Sequence, residues 1–309
     1  MAPLMDGSPN GSAQHDSERA ALAARSIPHM ELSNGTQSPG WKPKLDATPE
    51  ERAQQRFAVS GTAIVTGGAG TLGLEACNAL LEHGLSGLII FDRGVESNAK
   101  ATKLLRSRFP DRQIDAYEVD VTDEAAVEAA VQKASTQLGT LNHLLCFSGI
   151  VGCVHSLEAS ASSWRKILDV NTTGSFLCAQ HVARVMQEQK TGGSITFTAS
   201  ISAHRVNFPQ PQAAYNVSKA GVVTLKNCLA AEWAQYGIRV NSISPGYMDT
   251  ILNEGDGLAE ARGIWAERNP TGRLGQPEEL TGAVVLLTSN AGSYINGADI
   301  IVDGGGVVF

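Results

Sequence analysis

The stretch TAIVTGGAGTLG, residues 62–73, decides the fold of this chain. Five residues typical of a buried strand run directly into a glycine-rich turn, and the apolar residues that follow, up to His83, have helical spacing. Glycines at such a turn let the backbone approach a phosphate group, and the helix N-terminus supplies free N–H groups and a positive dipole. The stretch therefore predicts an α/β fold whose first loop binds a phosphate-containing ligand.

The same alternation of apolar runs and helical segments continues to the end of the chain. Runs rich in Ile, Val and Leu are typical of parallel strands buried on both faces, and the helices between them cover the sheet. We predict an α/β fold: a single Rossmann-type, doubly wound, seven-stranded parallel sheet with helices on both faces. The predicted strands are residues 62–66, 87–91, 114–119, 143–147, 194–199, 239–244 and 299–303, and the predicted helices are residues 72–83, 98–108, 124–138, 163–189, 213–236 and 277–287.

Residues 1–55 differ from the rest in composition. They are rich in Ser, Gly, Pro, Asn and Gln without an apolar period, so they cannot bury enough surface to offset the entropy of ordering. We expect a disordered N-terminal tail, with a helical turn at Pro49–Arg56, and one domain over residues 56–309. The Gly-rich interval at about residues 248–276 is expected to form a lid over the ligand site.

Charge and cysteine content argue against several classes of protein. Lys and Arg number 24 against 31 Asp and Glu, a net charge of -7, which opposes binding to nucleic acid or to an anionic membrane surface. No apolar stretch approaches the roughly 20 residues that cross a bilayer, and no secretory signal is visible. The 5 cysteines form no CxxC pair, which argues against a metal site and for a reduced, cytoplasmic compartment.

Asp92 follows the second predicted strand, about 20 residues beyond the glycine loop. A carboxylate there accepts hydrogen bonds from adenosine ribose hydroxyls and repels a 2′-phosphate, by roughly 4 kcal/mol at about 4 Å and an effective dielectric constant of about 20. Asp92 therefore favours NAD(H). Arg93 can partly neutralise this charge, which leaves NADP(H) or dual use as the alternative, and a purely structural Asp92 that caps the next helix is a further alternative.

Tyr215 and Lys219 stand four residues apart on a predicted helix and therefore on one face. A free phenol with a pKa of about 10 is a poor base at neutral pH, whereas a neighbouring ammonium group favours the phenolate. The pair suits proton transfer to or from an alcohol or a ketone. The spacing alone is common on surface helices, so the assignment depends on the other motifs.

Together these motifs resemble the short-chain dehydrogenase/reductase family over about residues 57–309. TGGAGTLG resembles the family's TGxxxGxG loop, with Thr71 in place of the second glycine, and YNVSK resembles its YxxxK motif. The family's NNAG is CFSG here, which keeps Gly149 but loses both asparagines. The closing third, including GIRVNSISPGY and GADIIVDGG, is similar to fungal polyol dehydrogenases and ketose reductases.

The resemblance implies roles for individual residues and no metal. The catalytic set is Tyr215, Lys219, Ser200 and Asn171, with Ser202 as the alternative serine because its spacing from Tyr215 also fits many members. The cofactor is NAD, with NADP as the alternative, and the implied contacts are Thr66, Gly67, Thr71, Leu72, Gly73, Asp92, Asp120, Val121, Gly149, Tyr215, Lys219, Pro245, Gly246, Met248 and Thr250.

The implied reaction is hydride transfer between a nicotinamide and a carbinol or carbonyl carbon. Tyr215 transfers the proton, Lys219 lowers the pKa of Tyr215 and binds the nicotinamide ribose, Ser200 orients the substrate oxygen, and Asn171 supports a proton relay. The expected small-molecule substrate is a polyol or ketose. The alternatives are a ketone or alcohol of fungal secondary metabolism and, in another class, a non-catalytic dinucleotide-binding protein.

Two further expectations concern the pocket and the assembly. The loop 202–212 and the interval 248–276, which contains Trp265, are expected to shape the substrate pocket. We expect a homotetramer or homodimer through the helices 163–189 and 213–236, because the family pairs through them and the second helix carries apolar residues on more than one face.

Overall fold

The computed structural model describes residues 10–37, 40–250, 253 and 255–308. The chain divides into two units, Met1–Glu31 and Leu32–Phe309. In the first unit the described residues contain one helix, α1 (Asn10–Ala24), which the sequence analysis did not predict. That analysis relied on apolar periodicity, whereas this helix rests on the high helix propensity of residues such as ERAALAA, 18–24.

The second unit begins at Leu32 instead of residue 56. Helix α2 (Pro49–Phe57) starts at Thr48, whose side chain accepts a hydrogen bond from the Glu51 backbone N–H, and Glu51 bonds back in a capping box. The Asn290 side chain donates to the Gln55 carbonyl at 2.8 Å, which ties this segment to the sheet domain. The expectation of a disordered tail therefore differs from the structure over residues 10–24, whereas α2 coincides with the helical turn expected at Pro49–Arg56. Residues 1–9, 38 and 39 of the expected tail lie outside the described part.

Seven parallel strands form one sheet in the order β3-β2-β1-β4-β5-β6-β7. This confirms the predicted doubly wound sheet, and each strand end lies within one residue of its prediction. The order reverses between β1 and β4, and ligands of such sheets bind in the crevice outside the carboxyl ends at this reversal. The strands are β1 (Thr62–Thr66), β2 (Gly87–Asp92), β3 (Gln113–Glu118), β4 (His143–Cys146), β5 (Gly193–Thr198), β6 (Ile238–Pro245) and β7 (Asp299–Val302).

The predicted helix 163–189 is interrupted. A π-helical turn, Asp169–Thr173, separates two α-helices, and its single inserted residue does not interrupt the apolar spacing enough to be visible in the sequence. The predicted helix 277–287 starts with a 3₁₀ turn, Pro277–Leu280. The helices are α3 (Thr71–Glu82), α4 (Val95–Arg108), α5 (Glu124–Leu138), α6 (Ala161–Leu168), α7 (Gly174–Gln189), α8 (Ala213–Glu232), α9 (Ala259–Glu267) and α10 (Thr281–Thr288).

Two hydrophobic cores lie on opposite faces of the sheet because successive strand side chains alternate between its faces. Ile64, Phe91 and Phe197 belong to the core under α5, α7 and α8. Val65 and Ile90 belong to the core under α3, α4 and α10. The two cores hold the carboxyl ends of the strands rigidly, which is where the predicted site residues lie. Within the described residues, no helix combines the length and the apolar character that crossing a membrane requires.

Candidate active site

The glycine loop lies between β1 and α3 and accepts no side chain at two positions. Gly67 has a φ of +66°, and a Cβ there would lie 2.6 Å from the Ser148 backbone nitrogen. A Cβ on Gly73 would lie 2.2 Å from the Gly67 carbonyl oxygen. Helix α3 starts at Thr71, so its first N–H groups border this bare backbone. This cradle fits a pyrophosphate group, and the threonine in place of the second glycine is accommodated as the first residue of the helix.

Asp92 ends β2, half-buried, and its Oδ1 accepts a hydrogen bond from the Gly94 N–H at 3.1 Å. Arg93 does not pair with it, because the Arg93 guanidinium lies 3.3 Å from Asp120 Oδ2. The N-cap of α4 is Gly94, without a side-chain hydrogen bond, so Asp92 is not the capping residue of that helix. Its carboxylate is therefore available to a ligand at the carboxyl end of β2.

Asp120 and Val121 follow β3. The backbone N–H and hydroxyl of Thr122, followed by Arg93, donate hydrogen bonds to Asp120 and hold the pKa of this carboxyl below its usual value. Val121 is buried, and a Cβ on Gly174 would lie 2.7 Å from its side chain. Val121 thus fixes the start of α7 beside the strand end, and Asp120 keeps a negative charge there.

Tyr215 and Lys219 lie together on the first turns of α8. The ammonium nitrogen of Lys219 is buried, 5.7 Å from the centroid of the Tyr215 ring, and donates to the Thr198 carbonyl at 2.6 Å. Burial lowers the pKa of Lys219 to about 8. Burial also raises the pKa of Tyr215, against a smaller lowering by a hydrogen bond with Ser200, so its phenol is protonated at neutral pH. The expected lowering of the Tyr215 pKa by Lys219 therefore does not dominate in the protein alone.

Asn171 lies in the π-helical turn and is completely buried. Its side-chain oxygen accepts from the Ile150 N–H at 2.8 Å, and its nitrogen donates to the Ile150 carbonyl at 2.9 Å and the Ser218 hydroxyl at 3.0 Å. A Cβ on Gly149 would lie 3.3 Å from the Asn171 side-chain oxygen and 3.6 Å from Lys219 Nζ. The π-helical turn thus brings Asn171, Gly149 and Lys219 together, with the Asn171 amide clamping the loop after β4.

Both candidate serines follow β5 and are buried. The Ser200 hydroxyl donates to the Ser202 hydroxyl at 3.1 Å and accepts from the Ser202 N–H at 3.1 Å. Ser200 is the one whose hydrogen bond acts on the Tyr215 phenol. The two serines are therefore one hydrogen-bonded pair, in which Ser200 faces the tyrosine and Ser202 supports it.

A cleft of about 220 Å³ opens above the Tyr215 phenol. Predicted residues in its lining are Leu72, Ser200, Ser202, Tyr215, Pro245, Gly246, Met248, Thr250 and Trp265. Other predicted cofactor residues, among them Gly67, Asp92 and Asp120, lie outside this lining, at the ends of β1, β2 and β3. The loop 202–212 and the interval 248–276 both contribute to the wall, as the sequence analysis expects.

The sequence analysis missed a polar network over the cleft. Tyr247 and Trp265 stack with ring centroids 4.1 Å apart and planes 4° from parallel. The Gln210 side chain joins them, because its nitrogen donates to the Tyr247 hydroxyl at 3.0 Å and its oxygen accepts from the Trp265 indole at 3.1 Å. Gln212 donates to the exposed thiol of Cys153 at 3.4 Å. No motif marks these residues, since their contacts depend on how two irregular loops pack.

The chain is similar to known proteins over most of its length. A family model described as Enoyl-(Acyl carrier protein) reductase matches residues 67–306. The chain is 36% identical over 252 residues to the NADP-dependent mannitol dehydrogenase of Alternaria alternata, which covers 81% of this chain and 93% of that protein. It is 36% identical over 254 residues to a sorbose reductase of Schizosaccharomyces pombe, and the match covers 81% of this chain and 97% of that protein. A solved short-chain type dehydrogenase/reductase from Mycobacterium marinum matches with a TM-score of 0.78 and 36% identity, over 82% of this chain and 98% of that one.

The parallel sheet, the glycine cradle and the Tyr215–Lys219 pair define an oxidoreductase that acts on a CH–OH group with a nicotinamide dinucleotide. The chain belongs to the short-chain dehydrogenase/reductase family. The resemblance, the fold and the enzyme class inferred from the sequence are thus confirmed.

Proposed function

We propose that this protein interconverts a polyol and the corresponding ketose, with NAD(H) as its cofactor. The observation that carries the proposal is the juxtaposition of Ser200, Tyr215 and Lys219 at the base of a cleft whose walls carry amide side chains: Ser200 hydrogen-bonds Tyr215, and the Lys219 ammonium lies beside the Tyr215 ring. Asn207, Gln210 and Gln212 offer the donors and acceptors that a polyhydroxylated substrate needs. Relatives whose names state action on mannitol or sorbose support this substrate class.

In this proposal the carboxyl ends of the strands form the dinucleotide site. The bound dinucleotide supplies the site that accepts or delivers a hydride. The glycine cradle and the start of α3 would hold its pyrophosphate, and Asp120 and Val121 would contact the adenine. Gly149 and Lys219 would contact the nicotinamide ribose, and the segment from Pro245 to Thr250 would hold the carboxamide.

Proton transfer falls to Tyr215. The protonated phenol gives its proton to the carbonyl oxygen during reduction, and the phenolate takes a proton from the alcohol during oxidation. Ser200 orients the substrate oxygen by a hydrogen bond, and the Lys219 ammonium stabilises the phenolate once the proton has left. Asn171 keeps the loop of Gly149 and Ile150 in place beside Lys219, and we assign it a supporting role in the proton path.

Asp92 supports NAD(H) as the cofactor. Its carboxylate is held at the end of β2 by the Gly94 N–H, and Arg93 pairs with Asp120 instead, so no cationic side chain of the described residues forms an ion pair with Asp92 that would offset its repulsion of a 2′-phosphate. The mannitol dehydrogenase relative is named as NADP-dependent, and we propose that this chain differs from it at the adenosine end. NADP(H) is the alternative.

A second candidate substrate class has its own observation. Leu72, Val151 and Ile201 line the cleft together with the Tyr247–Trp265 stack, and such an apolar wall also suits a ketone or alcohol of fungal secondary metabolism. A non-catalytic dinucleotide-binding role would give the arrangement of Ser200, Tyr215 and Lys219 no function, so we rank this role below the two enzymatic candidates.

We also propose a cytoplasmic homotetramer or homodimer in which α6, α7 and α8 form the interface. Trp164 on α6 and Val217 on α8 are 37% and 48% exposed, and pairing of two subunits would cover them. Light scattering at micromolar protein measures the mass, and a fully active species of about 32.5 kDa would contradict the assembly.

The deciding experiment is a substrate panel read by nicotinamide absorbance. Polyols, ketoses and apolar secondary alcohols are each supplied with NAD(H) and NADP(H), and Tyr215→Phe serves as the control for background oxidation. Turnover of polyols and ketoses above that of apolar alcohols, with NAD(H) preferred, is the expected result. Preference for apolar alcohols would favour the second candidate, and nucleotide binding without any turnover would favour the non-catalytic one.

A further inference from the structure

A smaller cavity of about 140 Å³ lies beside the substrate cleft. The two share Tyr247 and Trp265, so the aromatic stack is the boundary between them. The other lining residues are Arg205, Val206, Phe208 and Arg268. We call this cavity the arginine pocket; its described lining contains two cationic side chains and no acidic one.

The Arg268 side chain is exposed and has no hydrogen-bond or ion-pair partner among the residues that the structure describes. Its guanidinium carbon lies 5.0 Å from the centroid of the Phe208 ring, so the group is stacked on an aromatic face. Arg262 and Arg273, on the same stretch of chain, are instead paired with Asp249 and Glu279 at 2.8 and 2.6 Å. Stacking on an aromatic ring orders a guanidinium group but leaves its five N–H donors free.

Arg205 is the second cation of the pocket. Its Nη1 donates to the Gly306 carbonyl, which tethers the side chain to the C-terminal segment without neutralising it. Within the described part of the chain no carboxylate lies within ion-pair distance of Arg205 or Arg268. Two uncompensated guanidinium groups at one cavity favour a carboxylate or a phosphate, which both bind arginine through paired hydrogen bonds.

We propose that the arginine pocket binds a terminal anionic group, a carboxylate or a phosphate, on a polyhydroxylated substrate whose secondary alcohol or ketone reacts at Tyr215. This inference rests on the proposed function and narrows it to sugar acids or sugar phosphates. The carbon chain passes over the edge of the Tyr247–Trp265 stack, so its hydroxyls meet the amides of Gln210 and Asn207. Asn207 Oδ1 is buried and has no partner among the described atoms, which leaves one acceptor for such a hydroxyl.

The chemistry at the reacting carbon is unchanged by this assignment. In the oxidation direction the C–H bond breaks and its hydride reduces the oxidised dinucleotide, while the O–H proton goes to the Tyr215 phenolate and a C=O bond forms. The anionic group neither gains nor loses electrons, and it only fixes which end of the substrate enters the cleft.

The test compares three matched substrates: a neutral polyol, the aldonic acid of the same chain length, and the corresponding sugar phosphate. KM for at least one anionic substrate is expected to be about tenfold lower than for the polyol. Arg268→Gln is expected to raise that KM about 10- to 100-fold and to leave the KM for the neutral polyol within about twofold, since a charge-assisted hydrogen bond is lost only by the anion. Arg112→Gln, which removes a charge at the far edge of the sheet beside β3, is the matched control and should change neither KM.

The outcomes separate the two proposals. Whichever anion shows the larger effect identifies the source, carboxylate or phosphate. Equal KM changes for charged and neutral substrates, or no change with Arg268→Gln while the polyol is turned over, would overturn the arginine pocket and leave the proposed function intact. Failure to turn over any of the three, with dinucleotide binding retained, would overturn the proposed function itself.

Discussion

Tyr247 and Trp265 are stacked almost in parallel, with centroids 4.1 Å apart, although one follows β6 and the other lies on α9. The stack joins the interval 248–276 to the body of the domain at the mouth of the cleft. Trp265 is 6% exposed, so the indole is a buried side of the cleft wall rather than a surface ring. The geometry of the cleft wall therefore depends on this aromatic pair.

Replacing Trp265 tests that dependence. Trp265→Ala is expected to raise the KM of the substrate about 2- to 10-fold, which corresponds to losing the free energy of one aromatic pair. The Kd of the dinucleotide should stay unchanged. Trp265→Phe restores a ring and should recover most of the loss. Fluorescence titration measures the dinucleotide and initial rates measure KM; an unchanged KM in Trp265→Ala would show that the stack does not shape the site.

Tyr215→Phe is expected to remove proton transfer and leave dinucleotide binding nearly intact, because only the hydroxyl is lost. General acid–base catalysis contributes about 10²- to 10⁴-fold, so kcat should fall by that factor. Single-turnover rates under saturating substrate measure the loss. A rate within a few-fold of the wild type would remove Tyr215 from the proton path.

Asp92→Ser should increase the use of NADP(H) relative to NAD(H) by about 10- to 1,000-fold in kcat/KM, because it deletes the charge that repels a 2′-phosphate. Glu96→Gln removes a nearby exposed carboxylate, on α4, and should leave the ratio unchanged. Wild-type preference for NADPH in side-by-side kinetics would show that the Asp92 argument is wrong for this chain.

His143 should make the protein sensitive to acid. It is buried at the start of β4, and burial, assisted by the positive charge of Arg239, lowers its pKa from 6.5 to about 4. The unfolded chain therefore binds more protons between these values, so the free energy of unfolding falls as the pH is lowered from 6.5 to 4, by about 3 kcal/mol in total. Above pH 6.5 this contribution to stability is fully present.

Urea unfolding at a series of pH values measures how steeply the free energy of unfolding changes with pH. His143→Gln should flatten it, whereas His155→Gln, at an exposed position, should not. Equal slopes in the wild type and His143→Gln would assign the acid sensitivity to other groups.

Truncation should separate the two N-terminal segments. Removing residues 1–31 is expected to leave the unfolding midpoint and kcat unchanged, whereas removing residues 1–57 should lower the midpoint by several degrees. The second deletion takes away α2 and the Asn290–Gln55 hydrogen bond, and also Gln37, whose carbonyl oxygen would lie 2.2 Å from a Cβ on Gly237. Calorimetry of both forms measures the difference, and equal midpoints would show that residues 32–57 do not stabilise the domain.

The sequence was sufficient for the sheet, and the predicted site residues Ser200, Tyr215 and Lys219 lie close together in the structure. Buried parallel strands appear in the sequence as apolar runs, and the need for glycine at Gly73 comes from the Gly67 carbonyl in the same loop. The helix spacing of Tyr215 and Lys219 is likewise local. Features of this kind depend on residues close together in the chain.

What escaped prediction depends on contacts between distant segments. The Asn171 amide, in the π-helical turn, bonds Ile150 and Ser218, which are 21 and 47 residues away in the chain, so no local periodicity predicts these contacts. The number of residues between the serine and Tyr215 could not decide between Ser200 and Ser202, whereas the structure shows the two serines hydrogen-bonded to each other. Gln210 bonds a tyrosine 37 residues and a tryptophan 55 residues away, and neither loop has a repeating pattern.

The thiol of Cys153 gives this site a chemical reporter. It is exposed in the cleft wall, whereas Cys77, Cys146 and Cys178 are buried, and the other exposed thiol, Cys228, lies on α8. In a Cys228→Ser background, alkylation by a small maleimide would therefore label the cleft alone. Protection of that single thiol by a bound molecule would measure occupancy directly, including for ligands that are never turned over.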